Sequence, residues 1–469
     1  MNNQQSITTR SQSLDALRGI SILLMVLSGS IAFGGVLPGW MYHAQEPPPH
    51  HIFRPELPGI TWVDLVFPFF LFSMGAAIPL AYSKRMQKGE PKWSMVGHSC
   101  GRFLLLAFFG LFLPYANSRL LSAGTETTVY GCLLSLCAYA FLFLVYCRWG
   151  GKWQLVIKAV LIGLGLIFFW LYPFSGGGFN TSNSNIIIIL LADMALFGGI
   201  LWVFTSANPL IRIGVLPFIM AVLLAGNTSG TINSYIFNFT PAPWLYQFFY
   251  LKYLFIIIPG TIAGDWMLKH ITEGKTSSGG HSAYPTAFLL AGIIISNVAF
   301  LYLRWLFLNL SITLLLGGIL IFLFRKAGYF SRTSLIFGNF LNAGLYLLLL
   351  GLFFEAYENG IKKDHSTYSY YFVCSGLAFL ALLLFNMLEM KKAFPEVFKW
   401  LSDTGKNPMI AYSTGSLFLI PLLKLTRLDV FIDQLNSNAA EGLLRGIIFT
   451  SVVSAVTVFF TRKKLFWRT

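Results

Sequence analysis

Charge is scarce in this sequence. Only 11% of its 469 residues are Asp, Glu, Lys or Arg, against roughly a quarter in an ordinary soluble domain, which excludes a water-facing surface over most of the chain. Cysteine is sparse too. Cys100, Cys132, Cys137, Cys147 and Cys374 lie in or beside apolar runs without paired ligand spacing, so neither a zinc site nor a disulfide framework is expected. No phosphate-binding P-loop pattern occurs, and no Gly-rich dinucleotide fingerprint follows a strand, which argues against an ATP-driven machine. No internal repeat stands out, so the inverted-repeat pattern of many transporters is missing.

What is abundant is apolar length. Hydrophobic residues make up 56% of the chain, and about fourteen windows approach the ~20 apolar residues that cross a hydrocarbon core. They cover 14–37, 62–82, 96–117, 128–147, 153–172, 186–204, 208–226, 249–268, 285–303, 306–324, 334–354, 368–389, 408–424 and 441–460. The reading is an all-α polytopic membrane protein with about eleven to fourteen transmembrane helices, one integral membrane domain over residues 1–469. The seventh and thirteenth windows are the weakest. The first is too long for a signal-peptide core and is followed by further spans, so it reads as a retained anchor.

A net charge of +15 invites a nucleic-acid reading, but its distribution points elsewhere. With the N-terminus in the cytoplasm, about 24 of the 33 Lys and Arg residues fall on the inner side and about 9 outside, the bias that orients membrane proteins. The basic balance is therefore topology. Loop 38–61, with His43, His50, His51 and the run Pro47-Pro48-Pro49, lands outside the cytoplasm. So do the Gly/Ser/Asn-rich stretch 175–185 and the long loop 227–250.

Histidine exchanges protons near neutral pH and can carry an acyl group. His43 follows Trp40-Met41-Tyr42, where aromatic neighbours can hold a ring at a water-poor membrane face. The plainer reading is a solvated loop histidine, and position alone favours it. Asp64, in the span opening Trp62-Val63-Asp64, is either a carboxylate that orients a nearby imidazole or a helix N-terminal acid favoured by the dipole. Asp15 and Arg18 share a helix face and read as an ion pair before they read as a phosphate contact. Asp193 and Glu355 stand inside apolar runs, where acids usually face a polar interior.

The run Ser13-Leu14-Asp15-Ala16-Leu17-Arg18-Gly19, followed past the histidine loop by Gly59-Ile60-Thr61-Trp62-Val63-Asp64-Leu65-Val66-Phe67-Pro68, resembles the heparan-alpha-glucosaminide N-acetyltransferase family. His365-Ser366-Thr367-Tyr368-Ser369 and Gly405-Lys406-Asn407-Pro408 resemble its late motifs. The resemblance implies an enzyme of the bacterial inner (plasma) membrane. It would move acetyl from cytosolic acetyl-CoA, without a metal, to the amine of a terminal glucosamine on a heparan sulfate-like oligosaccharide at the periplasmic face. On this resemblance His43 is the catalytic histidine and Asp64 its partner. Arg18, Asp15, Lys406 and Asn407 are expected at the cofactor, and Trp40 and Ser366 at the sugar.

Two departures bear on the carry-over. The stretch from His43 to Asp64 is lengthened by residues 47–58, leaving His51 as a rival catalytic residue. The family's asparagine near the end of the first span is replaced within Ser28-Gly29-Ser30, so an oxyanion needs another donor. The expected partners are a glucosamine-terminated oligosaccharide and membrane lipid, not nucleic acid, with a homodimer left open. The rival readings are an O-acetyltransferase of envelope glycans and a sugar or ion transporter coupled through Asp193 and Glu355.

Overall fold

The structure is a computed structural model that describes residues 11–122, 126–148, 152–175, 177–273, 283–330 and 335–469. Each of the apolar windows becomes helix, and no strand forms among the described residues. The first half holds α1 (Gln12–Ser28), α2 (Trp62–Gln87), α3 (Lys92–Tyr115), α4 (Val129–Tyr146), α5 (Gln154–Leu171), α6 (Ile186–Thr205) and α7 (Pro209–Ala225). A short α8 (Ile232–Asn238) gives loop 227–250 its order. Then come α9 (Leu254–Thr272), α10 (Ala283–Leu303), α11 (Leu306–Lys326), α12 (Leu335–Tyr357) and α13 (Tyr368–Met390). The chain closes with α14 (Pro395–Gly405), α15 (Pro408–Thr414), α16 (Ile420–Thr426), α17 (Asp429–Asp433) and α18 (Ala439–Arg462).

Among the described residues, twelve helices are long and apolar enough to cross a bilayer. The two weakest windows are also the irregular ones. The helix α7 has 17 residues, and the thirteenth run is divided into α15 and α16 by a π-helical turn at Gly415–Leu419. The first helix is shorter than its apolar run, which was expected to continue to residue 37. It stops at Ser28, and Gly34 and Gly35 take φ of 85° and 83°, conformations open to glycine at little cost. Beyond it Ala32, Val36 and Leu37 fold back onto Gly442 of α18.

Burial identifies the centre of the bundle. In its most apolar stretch α2 is 83% buried, whereas α5 is 11% buried and presents its side chains outward. The packing of α2 on α9 depends on small residues: a Cβ on Gly75 would meet the carbonyl of Ile257, and one on Gly260 the carbonyl of Phe72. In lipid no hydrophobic force drives helix against helix, so such close backbone approach helps hold membrane helices together. A second close crossing lays α14 on α1. A Cβ on Gly19 would collide with the Leu401 carbonyl, and one on Gly405 with the carbonyl of Asp15.

The acids inside the spans have different surroundings. Glu355 on α12 is buried and ion-paired with Arg304, which occupies left-handed backbone (φ 62°) between α10 and α11. Asp193 on α6 is fully buried, with no hydrogen-bond partner on either oxygen among the described residues. Arg212 of α7, also fully buried, meets Asp265 of α9 at 2.8 Å and Thr261 at 2.9 Å.

Candidate active site

The first turn of α2 is built by a reciprocal cap. Thr61 Oγ1 accepts from Val63 N at 3.3 Å while Asp64 Oδ2 accepts from Thr61 N at 2.9 Å, satisfying donors that a helix start leaves open. The Thr61 hydroxyl also donates to the Tyr42 carbonyl at 2.7 Å, which draws the histidine loop onto the helix end. Burial raises the pKa of the Tyr42 phenol and keeps it protonated as a donor to the Ala32 carbonyl. His43 is thereby fixed from both sides. Its Nδ1 stands 2.7 Å from Asp64 Oδ1, and the amide of Ala44 donates to Oδ2 at 3.3 Å.

This carboxylate is almost completely buried, whereas the His43 side chain keeps 31% of its surface exposed. With Nδ1–H donating to Asp64, Nε2 is the nitrogen able to accept a proton. Lys363, from the loop between α12 and α13, completes the cluster. Its Nζ lies 3.1 Å from Nδ1, 3.3 Å from Nε2 and 4.0 Å from Asp64 Oδ1. Near-equal distances to the two nitrogens place the ammonium across the imidazole rather than end-on to one atom. Tyr370 donates to the Asp64 carbonyl at 2.8 Å, and the Gln45 carboxamide pins the Lys363 loop through the backbone N–H and carbonyl of Asp364.

His51 is occupied differently. It accepts from Gly34 N on Nε2 at 3.1 Å, so Nδ1 donates to the Glu46 carbonyl at 3.2 Å. Its ring packs edge-on to Tyr42 and Phe33, with centroids 4.4 and 5.1 Å away. Both nitrogens serve the fold of the loop, and neither is left to exchange a proton. Ser366 is buried, its hydroxyl paired with Tyr371 at 2.7 Å and its carbonyl accepting from Lys252 at 3.1 Å. Trp40 lines an apolar groove of about 550 Å³ with Trp62, Val66, Tyr302 and Phe385, a lining that offers a sugar few hydrogen bonds.

A second feature lies against the middle of α1 and α2. A cavity of about 300 Å³ is lined by Arg18, Arg102, Arg148 and Arg468 together with Phe70, Met74 and Tyr412. No carboxylate occurs among its described lining side chains. Phe70 is six residues into α2 from Asp64, about 9 Å of helix rise. Of the four residues expected at a cofactor, Arg18 alone lines this space. It also donates to the Ser73 carbonyl at 3.1 Å and lies 3.6 Å from Asp15, so the pair and the cavity contact coexist.

The other three do not line this cavity. Asp15 is buried beside Arg18, outside the lining. Lys406 turns to Asp403 at 2.8 Å. Asn407 is fully buried and bonds backbone. Arg102 was passed over in the sequence, although an arginine inside the third apolar run is itself a signal for function.

The family model described as a domain of unknown function (DUF5009) matches residues 10–267, more than half of the chain. Over 112 residues the chain is 31% identical to a Homo sapiens protein named heparan-alpha-glucosaminide N-acetyltransferase. Over 114 residues it is 29% identical to the Mus musculus protein of that name. Each match spans 24% of this chain and only 15% of the relative.

Proposed function

We propose that this chain, which belongs to the DUF5009 family, is a transmembrane acetyltransferase that carries acetyl from acetyl-CoA to a glucosamine amine across the bilayer. The observation that carries the reading is the His43–Asp64–Lys363 cluster at one end of α2, with an arginine-lined cavity against the middle of the same helix. The similarity to the named acetyltransferases supports it. On the positive-inside reading the arginine cavity opens toward the cytoplasm and His43 lies outside, and we infer a bacterial inner membrane with His43 toward the periplasm.

The chemistry follows from the groups present. His43 Nε2 takes the proton of the attacking amine, Asp64 holds the imidazole in the productive tautomer and stabilises its positive charge, and the C–S bond breaks as the C–N bond forms. Nε2 is equally placed to take the acetyl group first and hand it on. The Lys363 ammonium supplies the donor that Ser28-Gly29-Ser30 lacks for the carbonyl oxygen as it becomes negative. The arginines, whose planar forks match phosphate oxygens, hold the nucleotide end. Coupled transport through Glu355 is disfavoured, because Arg304 already neutralises it.

The test is acetylation of glucosamine-ended and N-acetylglucosamine-ended oligosaccharides by the purified chain with labelled acetyl-CoA. Transfer to the free amine only is expected. Transfer only to the blocked sugar would move the assignment to O-acetylation, and sugar uptake into proteoliposomes without acetyl-CoA would replace it by transport.

His51→Ala discriminates between the two loop histidines. It is expected to lower stability by about 1 kcal/mol through its lost loop contacts, while acetyl transfer stays within about threefold of wild type. A loss of two orders of magnitude in a protein with unchanged melting would return His51 to the reaction.

A further inference from the structure

We propose that residues 465–469 form a nucleotide-recognising wall of the arginine cavity, with Arg468 as a phosphate contact and Asn407 as the positioning residue that holds the segment in place. The inference rests on the reading of that cavity as the acetyl-CoA site.

The helix α18 ends at Arg462, and Lys464 adopts left-handed backbone (φ 60°). Lys464 N then donates to the Thr461 carbonyl at 3.0 Å and Leu465 N to that of Phe460 at 2.9 Å. These bonds cap the helix C-terminus, and the chain beyond it runs back to Asn407 between α14 and α15. Asn407 Nδ2 donates to the Leu465 carbonyl at 2.7 Å, and its Oδ1 accepts from Trp467 N at 3.1 Å. Both the nitrogen and the oxygen of the carboxamide bond main chain, so Asn407 serves the cavity through the segment it holds.

The next two residues are anchored as firmly. Trp467 is 4% exposed and packs against Phe109, Tyr139, Phe143 and Tyr146, with ring centroids 6.2, 5.6, 4.9 and 5.9 Å away. Arg468 N donates to the Tyr146 carbonyl at 3.0 Å. An irregular segment fixed by this many partners is a built wall rather than a loose end. Trp467, Arg468 and Thr469 line the cavity beside Arg18, Arg102 and Arg148. Four arginines meet at one cavity with no carboxylate among the described lining side chains, although Asp15 stands 3.6 Å from Arg18 just outside it, and guanidinium forks favour phosphate.

The experiment uses the full chain in detergent and measures binding of coenzyme A, adenosine 3′,5′-bisphosphate and pantetheine, with acetyl-CoA kinetics alongside. Arg468→Ala is expected to weaken coenzyme A and the bisphosphate at least tenfold and leave pantetheine unchanged. KM for acetyl-CoA rises by a similar factor while kcat stays within twofold, and Arg468→Lys recovers part of the loss. Asn407→Ala reproduces the KM effect with the side chain of Arg468 intact. Wild-type binding of the bisphosphate that is unchanged in Arg468→Ala overturns this proposal alone. A wild-type protein that binds none of the three probes overturns the cofactor reading beneath it. If Arg468→Ala instead loses binding of phosphatidylglycerol and keeps the nucleotide, the segment holds a lipid headgroup and the nucleotide assignment falls.

Discussion

Replacing His43 by Ala is expected to lower acetyl transfer about 10²–10⁴-fold in kcat. The loss falls on chemistry rather than folding. The imidazole is partly exposed, and Asp64 keeps its bonds to Thr61 N and Ala44 N, so melting moves little. KM for acetyl-CoA holds near its wild-type value, because the arginines that would bind the nucleotide line a separate cavity that His43 does not touch. Initial rates with saturating labelled acetyl-CoA and a glucosamine-ended acceptor measure the effect. Retention of more than a tenth of the wild-type rate would remove His43 from the mechanism and leave the cluster a structural one.

The second large effect is expected from Asp64→Asn, with kcat falling about 10²–10⁴-fold although the imidazole is untouched. The amide retains an oxygen to accept from Thr61 N, so the helix cap survives. Its NH₂ group donates to His43 Nδ1 and reverses the tautomer, placing the proton on Nε2 where a proton must be accepted. The variant also leaves Lys363 without its anionic neighbour, and about 2 kcal/mol of stability should be lost with the charge-assisted bonds. Rates and melting measured together separate the two contributions. A variant that melts lower but turns over normally would show that Asp64 is a capping residue alone.

The helices were legible because crossing lipid needs a run of apolar residues whose length hardly depends on partners. Helix ends were less so. The first apolar run continues beyond Ser28, but its glycines and the packing of Ala32 and Val36 on α18 end the helix. His43 and Asp64 are separated by 21 residues and stand on either side of one helix start, so a motif could join them. Lys363 lies 320 residues from His43, and no local pattern distinguishes it from any other loop lysine. Asn407 shows the opposite case, a residue marked by its motif whose partner, the backbone of residues 465–467, is visible only once α18 has turned back.

The contact of α1 with α14 carries a consequence for donor choice. Main chain meets main chain at Gly19 and Gly405 with no side chain to yield between them, so the two helices cannot slide past one another. Arg18 sits next to this joint, and α1 runs about 15 Å from there to the loop bearing His43. If the proposed site is right, the molecule would work as a fixed gauge. On the proposed function, a donor held by its phosphates at the arginine cavity would bring its reactive carbon to His43 only if its arm had the right length, making reach a criterion of selection independent of any contact with the group transferred.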